Sequence, residues 1–336
     1  MSKIFPVTHS ILSTSALITE FLPEYAIETP TDCRFLQPGL NDTFLVITPT
    51  AKYILRVYRH NWRSIDEILY ELDALLYLKN AGVNVSVPIM RKDGNLIGSI
   101  VAPEGLRYVV LFTYAHGKEP DYETEKEREA YIYGKAVAKI HAATDTFQSN
   151  HHRFTINLEY LLDIPLRSIQ PFLAHRPEDW KYLTRLATKL KTQILDLSLN
   201  NLELGFCHGD FHSGNAHLVG GASPLENRNE QITFFDFDSC AMGWRSYDIA
   251  NFRWNARLNK KEKEMWPSFL HGYTEERHLS EIDIQATQYF VPIRHVWLLG
   301  LHTSNGQDWG FSWINDGYFD RALKFFREWE TEYLNE

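Results

Sequence analysis

Along the first third of the chain, apolar residues come in short runs separated by turn residues, the pattern of strands. "FLVITPTAKYILRVYR" holds two such runs, Phe44–Thr48 and Lys52–Tyr58, on either side of "PTA", which predicts a hairpin. The period then changes. In "SIDEILYELDALLYLKNAG", Ile65, Ile68, Leu69, Leu72, Leu75 and Leu76 recur at three- and four-residue steps, so one face of a helix is apolar. Ser64 with Glu67 three residues on reads as a capping box, and Gly82 as the stop. Further strands are predicted around Leu96–Ala102 and Tyr108–Thr113, after which "YAHGKEPD" breaks the pattern. Helices follow at Glu123–Ala143 and Trp180–Leu199, then a short β-rich patch at Phe206–Val219 and Ile232–Phe237. The stretch from Ser246 to Glu336 is mostly helical and rich in Trp. Strands first and helices later predict an α+β molecule of two lobes, 1–115 and 116–336, with a cleft between them.

Composition narrows the classes. The 336 residues suit two lobes rather than one core, and the net charge of −9 argues against broad nucleic-acid binding, which needs a basic face. That charge leans weakly toward a cationic small molecule. No apolar run reaches the roughly 18 residues that span a bilayer, and the N-terminal stretch is broken by Ser and Thr, unlike a signal peptide. Cys33, Cys207 and Cys240 are far apart without metal-ligand spacing. A reducing, cytoplasmic setting is expected. Oligomeric state is not legible.

The chemistry concentrates in "FCHGDFHSGNAHLVGG", residues 206–221. His208, Asp210 and His212, with His217 or the later "FFDFD", could be metal ligands of a hydrolase. Ser213 could be a nucleophile, although "HSGN" lacks the G-x-S-x-G frame. The third reading is phosphoryl transfer, which needs a carboxylate to take a hydroxyl proton, oxygen ligands for Mg²⁺ and a cation on the phosphates. Asp210 and Asn215, five apart, and Asp236, about twenty residues later, are an acid, an amide and an acid in that order.

"HGDFHSGN" followed by "ITFFDFDSCAMGWRSYDIANF" resembles the signature of the aminoglycoside phosphotransferase, choline kinase and homoserine kinase superfamily, over roughly residues 35–255. The resemblance implies a two-lobed protein-kinase-like fold, with a small N-terminal antiparallel-sheet lobe bearing one key helix and a larger, mainly helical C-terminal lobe for catalysis and substrate. It implies ATP and Mg²⁺ as cofactors and transfer of the γ-phosphate to a hydroxyl of a small molecule. The acceptor would be an amino alcohol, homoserine-like or aminoglycoside-like. A Ser/Thr protein kinase of the stress-response type is the alternative, and a nucleotide-binding pseudokinase a more distant one.

By the same resemblance Asp210 is the catalytic base, and Asn215 and Asp236 are metal ligands. Arg56, in "KYILRVYR", stands where the family's phosphate-binding cation is a Lys or Arg. Its acidic partner is expected on the next helix, and Glu71 lies about 40° from Leu75 on the helical wheel, near the buried stripe. Gly39 and Asn41 in "QPGLNDTFLV" would approach the phosphates, and Phe112 and Tyr114 would lie on the segment that meets the adenine. Asp248 in "YDIA" is expected to pin the catalytic loop, Asp238 to reach metal, substrate or solvent. Gly134, Ala138 and His141 are read as close-packing positions. Arg294, His295, Trp297, His302, Asp308, Trp309 and Trp313 are candidates for the acceptor pocket or for core.

Overall fold

Five strands, β1 (Asp32–Gln37), β2 (Asn41–Ile47), β3 (Lys52–Tyr58), β4 (Gly98–Ala102) and β5 (Gly105–Thr113), form one antiparallel sheet in the order β1-β2-β3-β5-β4. These come from the computed structural model, which describes residues 5–37, 39–219 and 231–334. Strand side chains alternate between faces, and the registers show which faces matter. Leu55 and Val57 of β3 join Phe44, Val46, Val109 and Leu111 in a core closed by Leu17, Phe21 and Leu22 from the N-terminal helical turns. Arg56, between them in sequence, lies opposite Thr43 and Val110 in the register and points to the other face. Edge strand β1 escaped the sequence reading. Its residues are mostly half-buried or exposed, so the run lacks a clean alternation.

The helix Ile65–Asn80 starts at the expected capping box. Ser64 Oγ accepts from the Glu67 amide, and the Glu67 carboxylate accepts from the Ser64 amide at 2.9 Å. Its buried face carries Ile68, Leu72, Leu75 and Leu78, and also Glu71.

The chain divides into two compact units. One comprises Met1–Gly117, Gln148–Arg153 and Thr233–Asp238; the other holds the remainder. The second unit is mainly helical, with long helices at Lys126–Ala143, Pro177–Ser198, Arg245–Leu258, Glu262–Glu276, Glu281–Ser304 and Asp316–Trp329. Its core includes Leu162, Leu186, Leu190, Phe290, Val291 and Trp329. Lys126–Ala143 and Glu262–Glu276 pack backbone against backbone. A Cβ on Gly134 would lie 2.1 Å from the Phe269 carbonyl oxygen, and one on Gly272 would lie 2.0 Å from that of Tyr131. Gly134→Ala is therefore expected to cost about 1–3 kcal/mol, because the obstacle is main chain that cannot rotate away. A lowered denaturation midpoint in urea checks it; an unchanged midpoint contradicts this packing.

A small sheet of Thr155–Ile156, Ala241–Trp244 and Leu204–Cys207 sets the start of the polar loop, with Met242 opposite Phe206 and Ala241 opposite Cys207. The β-rich patch at Phe206–Val219 consists of strand at its two ends with a loop between them. The strand ends at Cys207 and resumes at Ala216. Gly209 has φ +82°, and a side chain takes the amides a ladder would need.

Candidate active site

The side chains singled out in the sequence fall into two groups, one in each unit. In the first, Arg56 is buried on β3 and its Nη1 donates to Glu71 Oε1 at 2.6 Å. The other Glu71 oxygen accepts from the Tyr58 hydroxyl at 3.0 Å. Nη2 of Arg56 donates to Asp236 Oδ1 at 2.9 Å. The guanidinium carbon lies 4.9 Å from the centre of the Phe112 ring, a cation–π contact. Burial would lower the Arg56 pKa, but Glu71 and the neighbouring acids hold it above its ordinary value. It is a permanent cation.

Asp236 follows the strand Gln231–Phe234 with φ +62°, a left-handed conformation that a non-glycine residue adopts only when its surroundings impose it. Those surroundings are visible. Two residues on, Asp238 accepts from Trp62 Nε1 at 2.9 Å and Arg63 Nε at 3.2 Å, and its carbonyl oxygen accepts from Arg63 Nη2 at 2.8 Å and from Arg153. Arg153 also donates to the Glu67 carbonyl at 2.5 Å. Burial pushes the Asp238 carboxyl up, and Arg63 with Arg153 and Arg56 overrides it and holds the group well below the usual carboxylate range. Asp238 is thus a clamp that fixes the turn bearing Asp236. Trp62, Arg63 and Arg153 were invisible as site residues because they lie 85 to 176 positions from it in sequence.

The remaining first-unit candidates separate. Asn41 opens β2 opposite Tyr58, while a Cβ on Gly39 would lie 3.4 Å from the Asn41 carbonyl oxygen, an ordinary contact. The adjoining Pro38 lies outside the described residues. Phe112 pairs with Ile54 and puts its ring on Arg56, whereas the Tyr114 ring has Lys52 Nζ 5.5 Å from its centre.

In the second unit, Asp210 and Asn215 sit on the loop after Cys207. Asn215 Nδ2 donates to the Asp210 carbonyl at 3.0 Å and to its Oδ2 at 3.3 Å, which orients the amide oxygen away from that carboxylate. Asp248, buried at the start of Arg245–Leu258, accepts from the amides of His208 and Gly209 at 2.6 and 2.7 Å. His141 Nε2 lies 3.2 Å from Asp248, and its Nδ1 lies 2.8 Å from the Tyr273 hydroxyl. Burial lowers the His141 pKa, so the ring is neutral, donating to Asp248 and accepting from Tyr273. His141 is therefore a link to the loop as well as a packing residue. His208 stacks on Phe211 at 4.5 Å, and its Nδ1 accepts from the Asp210 amide at 3.2 Å.

The Asp210 carboxyl is pushed up by burial but held well below the carboxylate range by the Arg294 guanidinium, with His212 adding to it. It is ionised at neutral pH. Among the described residues no group of three His, Cys, Asp or Glu is placed to hold a metal ion. Asp236 in the first unit keeps a half-exposed carboxylate, and Asn215 in the second an amide whose nitrogen is taken up by Asp210. All three cysteines are buried, and none is in a disulfide.

Residues 32–282 match the model of the phosphotransferase enzyme family. An uncharacterized protein of Synechocystis sp. is 34% identical over 320 residues, spanning 95% of this chain and 86% of the relative. A microcompartment-associated aminopropanol kinase is similar in structure, with TM-score 0.72 and 25% identity over 90% of this chain and 91% of that one. Amicoumacin kinase hAmiN, solved with AMP-PNP, Ca²⁺ and Ami, shares the fold with TM-score 0.76 and 21% identity over 92% of each chain.

Proposed function

The chain belongs to the phosphotransferase enzyme family, and from that premise we propose that it transfers the γ-phosphate of ATP, with Mg²⁺, to a hydroxyl of a small molecule. The acceptor is an amino alcohol, homoserine-like or aminoglycoside-like compound. It is an enzyme of the kinase type, and no helix among the described residues is long and apolar enough to cross a membrane. The observation that supports this reading most is the loop on which Asn215 donates to Asp210 while Asp248 takes two consecutive loop amides. An acid and an amide are held there in fixed relation by the protein's own groups.

Asp210 accepts the proton of the acceptor hydroxyl as its oxygen bonds the γ-phosphorus. The bond from that phosphorus to the β–γ bridging oxygen breaks, and its electron pair leaves with ADP. Asn215 and Asp236 would hold the metal, which supplies neutralisation of phosphate charge when bound. Arg56 offers a planar fork to phosphate oxygens, kept in place by Glu71. Asn41 and Gly39 lie on the segment assigned to the phosphates, and Phe112 and Tyr114 on the one assigned to the base.

The test is ADP release by the purified protein with ATP, Mg²⁺ and a panel of amino alcohols, homoserine and aminoglycosides. ADP formation that requires both an acceptor and a divalent metal, and that stops on chelation, is expected. ATP consumption indifferent to every acceptor would reject phosphotransfer.

A further inference from the structure

Arg294 is a buried charge to which the roles above give no work. It lies in Glu281–Ser304, 2% exposed, and its Nη2 donates to Asp210 Oδ1. Trp297 and Trp254 flank it, with ring centres 4.5 and 5.0 Å from the guanidinium carbon. The Tyr247 hydroxyl is 3.5 Å from Nη1, and Nε has no partner. A guanidinium carries five N–H donors and no acceptor, so most of its hydrogen-bonding capacity is unmet here.

The surroundings supply no second counter-charge. His295, whose Nδ1 accepts from Trp254 Nε1 at 3.1 Å, and His302, 2.6 Å from the Tyr318 hydroxyl, are neutral imidazoles. Among the described residues no carboxylate other than Asp210 forms an ion pair with Arg294. A buried guanidinium stripped of its carboxylate is strongly unfavourable. Yet a hydroxyl approaching Oδ1 of Asp210 shares or contests that oxygen with Arg294, since Oδ2 already faces Asn215 Nδ2 at 3.3 Å and His212 Nε2 at 3.5 Å, and either way the guanidinium's hold on its one carboxylate weakens. A replacement anion resolves the conflict.

We propose, building on the phosphotransfer reading above, that Arg294 determines acceptor specificity by binding a carboxylate or phosphate group on the acceptor, close to the hydroxyl that is phosphorylated. The acceptor's anion takes the guanidinium while its hydroxyl takes Asp210 Oδ1. Because Arg294 and Asp210 touch, the two acceptor groups are separated by about two to four carbons, the span that lets both reach their partners at hydrogen-bond distance. The overall charge of −9 does not oppose this. Exposed charges beyond about 8–10 Å are screened at physiological salt, whereas a buried cation in contact with the base acts at full strength. A cationic amino alcohol with no acid group would instead meet like charge beside the base.

The experiment compares 4-hydroxybutyrate with its amide and with 4-amino-1-butanol, and glycerol 3-phosphate with glycerol, in both turnover and calorimetric binding. The two pairs distinguish a carboxylate from a phosphate. At least one anionic compound is expected to exceed its uncharged analogue by about 100-fold in kcat/KM, because a site built for a polar group is left unpaired by an analogue without it. Arg294→Met should raise KM for that acceptor and erase the preference while leaving KM for ATP unchanged, and Arg294→Lys should restore part of it. Equal binding of charged and uncharged partners by the unaltered protein would overturn the assignment. So would an Arg294→Met variant that lowers kcat for every acceptor by one common factor. Binding read without turnover keeps this test separate from the transfer reaction itself. Anion preference in binding without ADP formation counts against phosphotransfer, and ADP formation without anion preference counts against Arg294.

Discussion

Asp210→Asn is expected to lower acceptor phosphorylation by about 10²–10⁴-fold while ADP still binds, because a general base contributes only along the reaction path. The amide preserves shape and can still accept from Asn215 Nδ2, so the loop keeps its geometry. What disappears is the negative charge. That loss also leaves Arg294 buried without its carboxylate, at a stability cost of about 3–5 kcal/mol, so kcat must be read beside a thermal unfolding curve on the same sample. The sign of the pH effect is fixed too. A carboxyl held below its ordinary range in the folded state contributes stability that is present above that range and lost only as pH falls through the folded value. A variant that transfers phosphate at the unaltered rate would remove Asp210 from the reaction.

Glu71→Ala should cost about 3–5 kcal/mol of stability and raise KM for ATP, since it orphans the buried Arg56 guanidinium and the Tyr58 hydroxyl together. Arg56 would retain Asp236 as its ion-pair partner and turn toward it, away from the position from which it could serve phosphates. Pairing Glu71→Ala with Arg56→Met should destabilise less than the sum of the two single changes, because the double variant buries no unpaired charge. Additive losses in the double-mutant cycle, or a Glu71→Ala protein with unaltered melting temperature and KM, would show that the pair holds nothing in place.

Local order was readable wherever neighbours in sequence create it. The capping box of Ser64 and Glu67, the apolar stripe of the following helix and the placement of Glu71 on its buried face depend on three- and four-residue spacing, which is printed in the chain. Strands β2 and β3 were legible in the same way, as two apolar runs on either side of a turn. The loop between Cys207 and Ala216 was legible as a loop, but its shape was not, because it depends on a carboxylate about forty residues downstream. Nothing near His208 announces that Asp248 will take its amide, although "YDIA" marked Asp248 as a scaffold. Asp238 was the least legible of all. One aspartate among several in "FFDFD" has no local sign that a Trp, an Arg from the helix entry and an Arg from the Gln148–Arg153 segment converge on it. Arg294 and His295 were noticed only as polar residues in an aromatic helix, and period alone does not distinguish a charge that lines a site from one buried in passing.

The amides of His208 and Gly209 end on a side chain of the helix Arg245–Leu258, which is itself braced through His141 and Tyr273. Opening that loop therefore means tearing a buried carboxylate from two donors at once, not merely bending a flexible connector. A loop pinned in this way has little conformational freedom left to surrender when a substrate arrives.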